Sequence, residues 1–335
     1  MHGEYDRILG ALVGCAVGDA MGMPAEMWSQ RRIRETFGEI TDFLPGPPDN
    51  EISAGFAAGE TTDDSIVTVL VARALIHANG IPDPLDLVHS IENWAANNPK
   101  SRTIIGPSTR RAFDLIAQGV SPAEAGRGGE TNGASMRISP LGAVCSIEDL
   151  PLLVRRAAQL CLPTHNTAAA IAGASAVAAA VAHGVGGGVI NDVSPVVLQA
   201  ARLGAKQGYE GCGPSVEKRL ELSLQLSSQY PDDREFMEHQ YALVGCGLPT
   251  SESVPTALAI ALRCGGDVLR CARICANIGG DTDTMGAIAC AISGAYAGIA
   301  AIPRSLADRV AEKNGFDYPS LAQGLLTLRR QMAKC

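Results

Sequence analysis

The sequence predicts an all-α protein folded as a single domain over residues 1–335, and three observations carry that expectation. Apolar residues recur at helical spacing along most of the chain, convincing period-2 alternation is absent, and Gly/Pro-rich turns separate one helical run from the next. No linker or charge run splits the chain, and nothing repeats at a fixed solenoid period, although so many helices would also suit an α-solenoid.

Residues 4–22 place Ile8, Leu12, Val13, Ala16, Val17 and Ala20 on a helical period. Gly10, Gly14, Gly18 and Gly22 are interspersed; they would weaken an exposed helix but permit close backbone contact in a crowded core. The composition agrees: 46% of residues are hydrophobic but only 4% aromatic, so the core closes by near approach of helices rather than by large rings. A short polar helix is expected at 29–37. Residues 38–60, with Pro45-Gly46-Pro47-Pro48, read as a long loop, functional or disordered. Further helices are expected at about 63–79, 84–97, 108–118, 147–161, 166–184, 194–207, 215–228, 233–243, 254–264, 267–277, 282–301, 304–314 and 318–332.

With 27 basic and 35 acidic residues the net charge is -8, and no basic stripe stands out, which argues against a nucleic-acid partner. The ten Cys show no zinc-like spacing; Cys271 and Cys275 simply share a helix face. The opening Met1-His2-Gly3-Glu4 does not read as a signal peptide, so free thiols point to a reducing, cytoplasmic setting. Residues 167–190 and 285–302 approach membrane-span length. The first carries His183 and ends in glycines, the second begins beside two Asp, and both read as buried helices with no membrane partner.

Two stretches carry the chemistry. Gly279-Gly280-Asp281-Thr282-Asp283-Thr284 opens one apolar run, and Thr61-Thr62-Asp63-Asp64-Ser65 opens another. Asp281 and Asp283 can face one point only if the helix has not begun at the first of them, and Gly279-Gly280 provides the backbone freedom for that turn. Asp and Thr offer hard oxygen ligands, suited to Mg²⁺, Mn²⁺ or Ca²⁺. Four carboxylates brought together would repel strongly unless cations intervene, which favours a two-metal centre. Each cluster alone also fits a helix cap.

These stretches resemble the ADP-ribosylglycohydrolase family, which includes the glycohydrolase that reactivates ADP-ribosylated dinitrogenase reductase. The match is carried by the stretch Gly10 to Glu26; by Thr62-Asp63-Asp64-Ser65; by Thr131-Asn132-Gly133-Ala134-Ser135-Met136-Arg137 with Pro140-Leu141-Gly142; and by Gly279 to Thr284. Pro163-Thr164-His165 and Ser253-Val254-Pro255 are weaker echoes. The resemblance implies a compact orthogonal helical bundle with a central dimetal cleft, two Mg²⁺ or Mn²⁺ ions held by Thr62, Asp63, Asp64, Asp281, Asp283 and Thr284, and hydrolysis at the anomeric carbon of a ribose.

It implies catalytic roles for Glu26, Asp63 and Asp283, with Glu26 acting on water or leaving group. The substrate would be a small ribosyl or ADP-ribosyl compound, free or attached to protein. Asn132 and Arg137 are candidates for phosphate or sugar contact, while Arg137 equally fits pairing with a buried carboxylate. His165 fits a substrate contact or a core or capping histidine. Many members carry an acid just before the glycine that aligns with Gly106; here the residues are Ile104-Ile105-Gly106. That departure favours a neutral or aromatic leaving group and keeps open an N-glycosidase for free nucleosides or small ribosides. A non-catalytic ADP-ribose-binding protein is the third reading, opposed by the intact ligand set.

Overall fold

The computed structural model describes residues 3–333. Helix α1 (Glu4–Gly22) runs into a 3₁₀ turn (Met23–Ala25) and α2 (Gln30–Phe37). After a long loop come α3 (Asp63–Ala78), α4 (Pro84–Asn97), α5 (Ser101–Ile104), α6 (Pro107–Ala117) and α7 (Pro122–Ala125). Then follow α8 (Gly133–Met136), α9 (Ser139–Val144), α10 (Leu150–Cys161), α11 (Ala168–Val185) and α12 (Ser194–Gly204). The chain continues through α13 (Val216–Gln229), α14 (Asp233–His239), α15 (Thr250–Cys264) and α16 (Val268–Ile278). It closes with α17 (Thr282–Ala297), α18 (Arg304–Asn314) and α19 (Tyr318–Met332). Among the described residues there is no β-strand, only three isolated bridges. The all-α expectation holds.

Helices α1 and α17 form the most extensive pair in the molecule. They run antiparallel, and the glycine row explains why. A Cβ on Gly10, Gly14, Gly18 or Gly22 would come closer than 3.0 Å to the backbone of Gly294, Cys290, Gly286 and Thr282 respectively. The four-residue spacing makes one continuous ridge, so the two backbones touch along four turns. Around this pair pack α3, α11, α15, α16, α18 and α19. The first helix therefore lies against nearly the last, which excludes a solenoid, in which each repeat touches only its neighbours. Two helical segments, Glu4–Ala25 and Ala168–Val185, are long and apolar enough to cross a membrane; 100% and 83% of their apolar windows are buried inside the fold.

Some boundaries differ from expectation for local reasons. Helix α10 starts at Leu150 rather than 147 because Asp149 caps it, accepting from Leu152 N at 2.9 Å. Helix α15 starts at Thr250, four residues before the expected position, and carries Pro255 inside it. Proline lacks the N–H that would bond Ser251 O, and Arg219 Nη1 donates to that carbonyl instead, at 3.4 Å. Helix α14 ends at His239 and passes into a five-residue π turn, Gln240–Val244. There buried Gln240 accepts from Ser223 Oγ at 2.8 Å and donates to Ser223 O at 2.9 Å. Helix α17 stops at Ala297, where Gly298 turns the chain. Helices α5, α7, α8 and α9 were not foreseen, being too short to show a period.

The 38–60 loop is ordered and buries Phe43 and Phe56. Its Asn50 Nδ2 donates to Glu26 O at 3.0 Å and to Pro24 O at 3.4 Å, so the loop braces the segment that carries Glu26.

Replacing Gly18 by Ala forces a methyl group into the Gly286 backbone. We expect a loss of at least the ~1–3 kcal/mol typical of overpacking, read as a fall in melting temperature. Ala at exposed Gly38, where no atom lies within 4 Å but φ is +69°, should cost less; equal losses at the two positions would contradict the close-contact account.

Candidate active site and metal centre

The α1/α17 contact sets the floor of the site. Because the helices are antiparallel, the C-terminal end of α1 meets the N-terminal end of α17, and Thr282 Oγ1 donates to Gly22 O at 2.8 Å. Before α17 the chain makes a turn that only glycine accepts: Gly279 and Gly280 have φ of +84° and +82°. Gly280 also forms a bridge with Trp28, and Met27 N donates to Gly280 O at 2.7 Å, which brings Glu26 beside Asp281. Asp281 N donates to Cys246 O at 2.7 Å, so Asp281 sits just ahead of the helix while Asp283 lies within its first turn. The turn expected from Gly279-Gly280 is thus present.

Helix α3 delivers the second cluster. Thr62 is its N-cap, with Oγ1 accepting from Asp64 N at 3.4 Å, so the capping reading is realised here alongside any other role. Asp281, by contrast, makes no side-chain cap on α17. Thr62 Oγ1 and Thr284 Oγ1 each stand 3.2 Å from Asp64 Oδ2, which ties the two clusters together.

Glu26, Asp63, Asp64, Asp281, Asp283 and Thr284 line one small cavity of ≈ 40 Å³, with Asn132, Thr131, Thr109, Ile104, Gly106, Pro107 and Leu248 on its other walls. All five acids are buried; Glu26, at 8%, is the most exposed. Three of their oxygens, Glu26 Oε2, Asp64 Oδ1 and Asp283 Oδ1, have no hydrogen-bond partner. Among the described residues none of the five forms a salt bridge with a basic side chain. Carboxylate oxygens of Glu26, Asp281 and Asp283 lie within 4.8 Å of one another, close enough to share an ion. Glu26, expected beside the metals, borders the same cluster of acids.

Burial and mutual repulsion raise these acids. Glu26 is held well above the usual carboxylate range by burial, then by Asp283, Asp281 and Asp63. Asp63 is pushed up to about 8 by burial, then by Asp19 and Asp281. Asp64, Asp281 and Asp283 are also raised, chiefly by burial. Hard oxygens, orphaned lone pairs and crowded negative charge form a donor set that fits Mg²⁺ or Mn²⁺.

Asp19 is buried in the apolar C-terminal part of α1. It accepts from Thr62 N at 3.0 Å, Ser65 N at 3.0 Å and Ser65 Oγ at 2.5 Å. Its oxygens are spent on the start of α3, so it is a positioning acid. The sequence signal was a lone Asp within a run of buried apolar residues. Asn132 Nδ2 donates to Asp281 Oδ2 and, at 2.9 Å, to Ser253 Oγ. Its amide orients an acid and its side chain lines the cavity.

Arg137 and His165 are fully buried behind the cavity wall rather than lining it. Among the described residues no carboxylate forms a salt bridge with Arg137, although its charge favours the ionised form of Asp63; its Nη2 donates to Thr164 Oγ1 at 2.7 Å. Thr164 Oγ1 also lies 2.7 Å from His165 Nδ1, and His165 Nε2 lies 3.0 Å from Thr131 Oγ1, so both ring nitrogens are hydrogen-bonded to hydroxyls. Thr131 passes the chain on to Ser108 Oγ at 2.9 Å. Burial, then the charge of Arg137, hold His165 well below its usual pKa, which favours the neutral ring. The histidine is a core residue fixing the cavity residue Thr131.

A family model for ADP-ribosylglycohydrolase matches residues 1–334. The chain belongs to the ADP-ribosylglycohydrolase family. It is 37% identical over 329 residues to the uncharacterized protein YegU of Escherichia coli, covering 98% of each chain. It is 26% identical over 307 residues to the ADP-ribosyl-[dinitrogen reductase] glycohydrolase of Rhodospirillum rubrum, covering 89% of this chain and 88% of that one. A solved ADP-ribosylglycohydrolase-related protein superimposes with a TM-score of 0.67 at 25% identity, covering 98% of this chain and 99% of the other. Membership places the chain among glycohydrolases of ADP-ribosyl groups.

The raised acids give a pH prediction. A carboxyl whose folded pKa exceeds its unfolded value contributes stability that is fully present below the unfolded value and is lost as pH rises through the folded one. For Asp63 that window runs from 3.8 to about 8. Metal-free protein should therefore melt lower at pH 8 than at pH 5, and Mn²⁺ should raise the melting temperature more at pH 8. An equal Mn²⁺ effect at both pH values would contradict the reading.

Proposed function

We propose that this ADP-ribosylglycohydrolase is a metal-dependent hydrolase of the glycosidic bond at the anomeric carbon of an ADP-ribosyl group. Thr62, Asp63, Asp64, Asp281, Asp283 and Thr284 would hold two divalent cations, Mg²⁺ or Mn²⁺. The observation that carries this reading is the set of five buried acids around one cavity, with three orphaned oxygens and, among the described residues, no salt bridge to a basic side chain. The cations, when bound, supply Lewis acidity and positive charge toward the ribose hydroxyls and water.

The chain's own residues do the rest. Glu26 Oε2 is free of any hydrogen bond and borders the cavity, so it is the atom placed to take a proton from water or give one to the departing group. Its affinity for protons is raised by burial and then by Asp283, which suits a group that exchanges a proton during the reaction. Asp63 and Asp283 line the same cavity, and their negative charge would oppose the positive charge that grows on the ribose in an oxocarbenium-like transition state. Thr131, held by His165, and Asn132, held by Ser253, form the wall against which the sugar is oriented.

A second reading, an N-glycosidase for a free nucleoside or small riboside, is favoured by the opposite wall. Ile104, Gly106, Pro107 and Leu248 are apolar there, and no acid outside the five lines the cavity. A guanidinium leaving group would find no additional carboxylate. A panel of ADP-ribosylated compounds and free ribosides, each with Mg²⁺ or Mn²⁺, separates the two: release of base from a nucleoside without release of ADP-ribose would favour the second reading and sink the first.

Glu26→Gln should lower kcat by about 10²–10⁴-fold while cation affinity stays near that of the unaltered protein. Loss of cation binding in that variant would instead make Glu26 a ligand. Asp283→Ala should lose both cation binding and turnover, and activity that persists in EDTA would contradict the metal assignment.

A further inference from the structure

A second cavity, of ≈ 310 Å³, lies between α3, α4 and α18, and Ile104 is a wall of both it and the catalytic cavity. Its lining is unlike the rest of the molecule. Aromatic residues make up only 4% of the chain, yet two of its six Phe and one of its two Trp converge here: Phe56, Phe316 and Trp94. The chain carries a net charge of -8, yet three cations border this cavity, Arg73, Lys100 and Lys313, against a single acid, Glu60.

One of the cations is already engaged. Lys100 Nζ is 2.6 Å from Glu60 Oε1 and 4.3 Å from the centre of the Phe56 ring. That pair is self-neutralising and stiffens the wall. Arg73 and Lys313 are exposed and have no ion-pair or hydrogen-bond partner among the described residues, so two positive charges stand uncompensated at the mouth.

We propose that this cavity binds an aromatic ring bearing a phosphate, the chemistry of a purine nucleotide. Trp94 and Phe316 line it, and aromatic side chains of this kind are the surfaces on which a base stacks. Arg73 presents a planar fork that matches phosphate oxygens, and Lys313 adds a second charge. The volume is at the lower end of that of small-molecule sites, enough for a mononucleotide rather than a dinucleotide.

The site is connected to the catalytic centre. Thr61 lines it and immediately precedes Thr62-Asp63-Asp64, and Asn314 Oδ1 accepts from both Thr61 N and Thr61 Oγ1 at 3.0 Å. Two sources supply this ligand chemistry: the ADP half of the substrate reaching past Ile104, an arm that rests on the function proposed above, or a free nucleotide.

Calorimetric titration of the metal-loaded protein with AMP, adenosine and ribose 5-phosphate tests the site without any need for turnover. AMP should bind at least tenfold more tightly than either fragment. Arg73→Ala combined with Lys313→Ala should weaken AMP at least tenfold with the melting temperature unchanged, and Trp94→Ala should weaken both AMP and adenosine. Absence of AMP binding, or AMP binding that the double Arg73/Lys313 variant leaves unaltered, overturns the proposal. Steady-state kinetics then assign the source. Competitive inhibition by AMP, with a raised KM and unchanged kcat in the double variant, identifies the substrate's own ADP half. AMP that alters the rate without competing identifies a free nucleotide.

Discussion

Five carboxylic acids are buried around one small cavity with no salt bridge to a basic side chain among the described residues, and much of the molecule can be understood as the means of holding them there. Burying an unpaired charge costs several kcal/mol, and like charges a few ångströms apart add to that cost. The acids respond by rising in pKa, and three of their oxygens stay without partners. Holding the acids in place requires an overdetermined backbone around them, and a cation set that neutralises the site would convert the cost into binding energy.

The overdetermination is visible at each approach to the cavity. The glycine ridge of α1 against α17 locks the antiparallel pair so that Gly22 meets Thr282. Gly279 and Gly280 bend the chain so that Asp281 points inward before the helix begins. Asp19 holds the start of α3, Asn50 braces the Glu26 segment, and Asn132 orients Asp281. Asp19 and the cavity acids illustrate two uses of the same side chain. The first spends its oxygens on backbone and hydroxyl donors of one helix start; the others keep lone pairs free.

Much of this was legible in the residues. The Gly10-Gly14-Gly18-Gly22 row announced close helix contact, and the low aromatic content said that the core would depend on it. The two acid clusters, each at the start of an apolar run, announced themselves by carrying more acids and hydroxyls than a cap needs. The structure brings them to one cavity, together with Glu26. What could not be read was placement in depth. Asn132, Arg137 and His165 looked alike as polar residues near the motifs, yet Asn132 lines the cavity while the other two lie behind it. The relay from Arg137 through Thr164, His165 and Thr131 depends on contacts between residues up to 34 apart, which no local pattern encodes. Short helices such as α8 and α9 escaped for a related reason: four to six residues hold too few turns for a period to register.

The central claim is that the buried acids form a site for two cations, and counting them is the direct measurement. Mn²⁺ titration followed by electron paramagnetic resonance, on protein first stripped of metal, gives the number of ions bound per chain. The account predicts two, with a spin-coupled signal from neighbouring ions at saturation. No ion bound at near-neutral pH, or a single ion with no coupling at saturation, would contradict it.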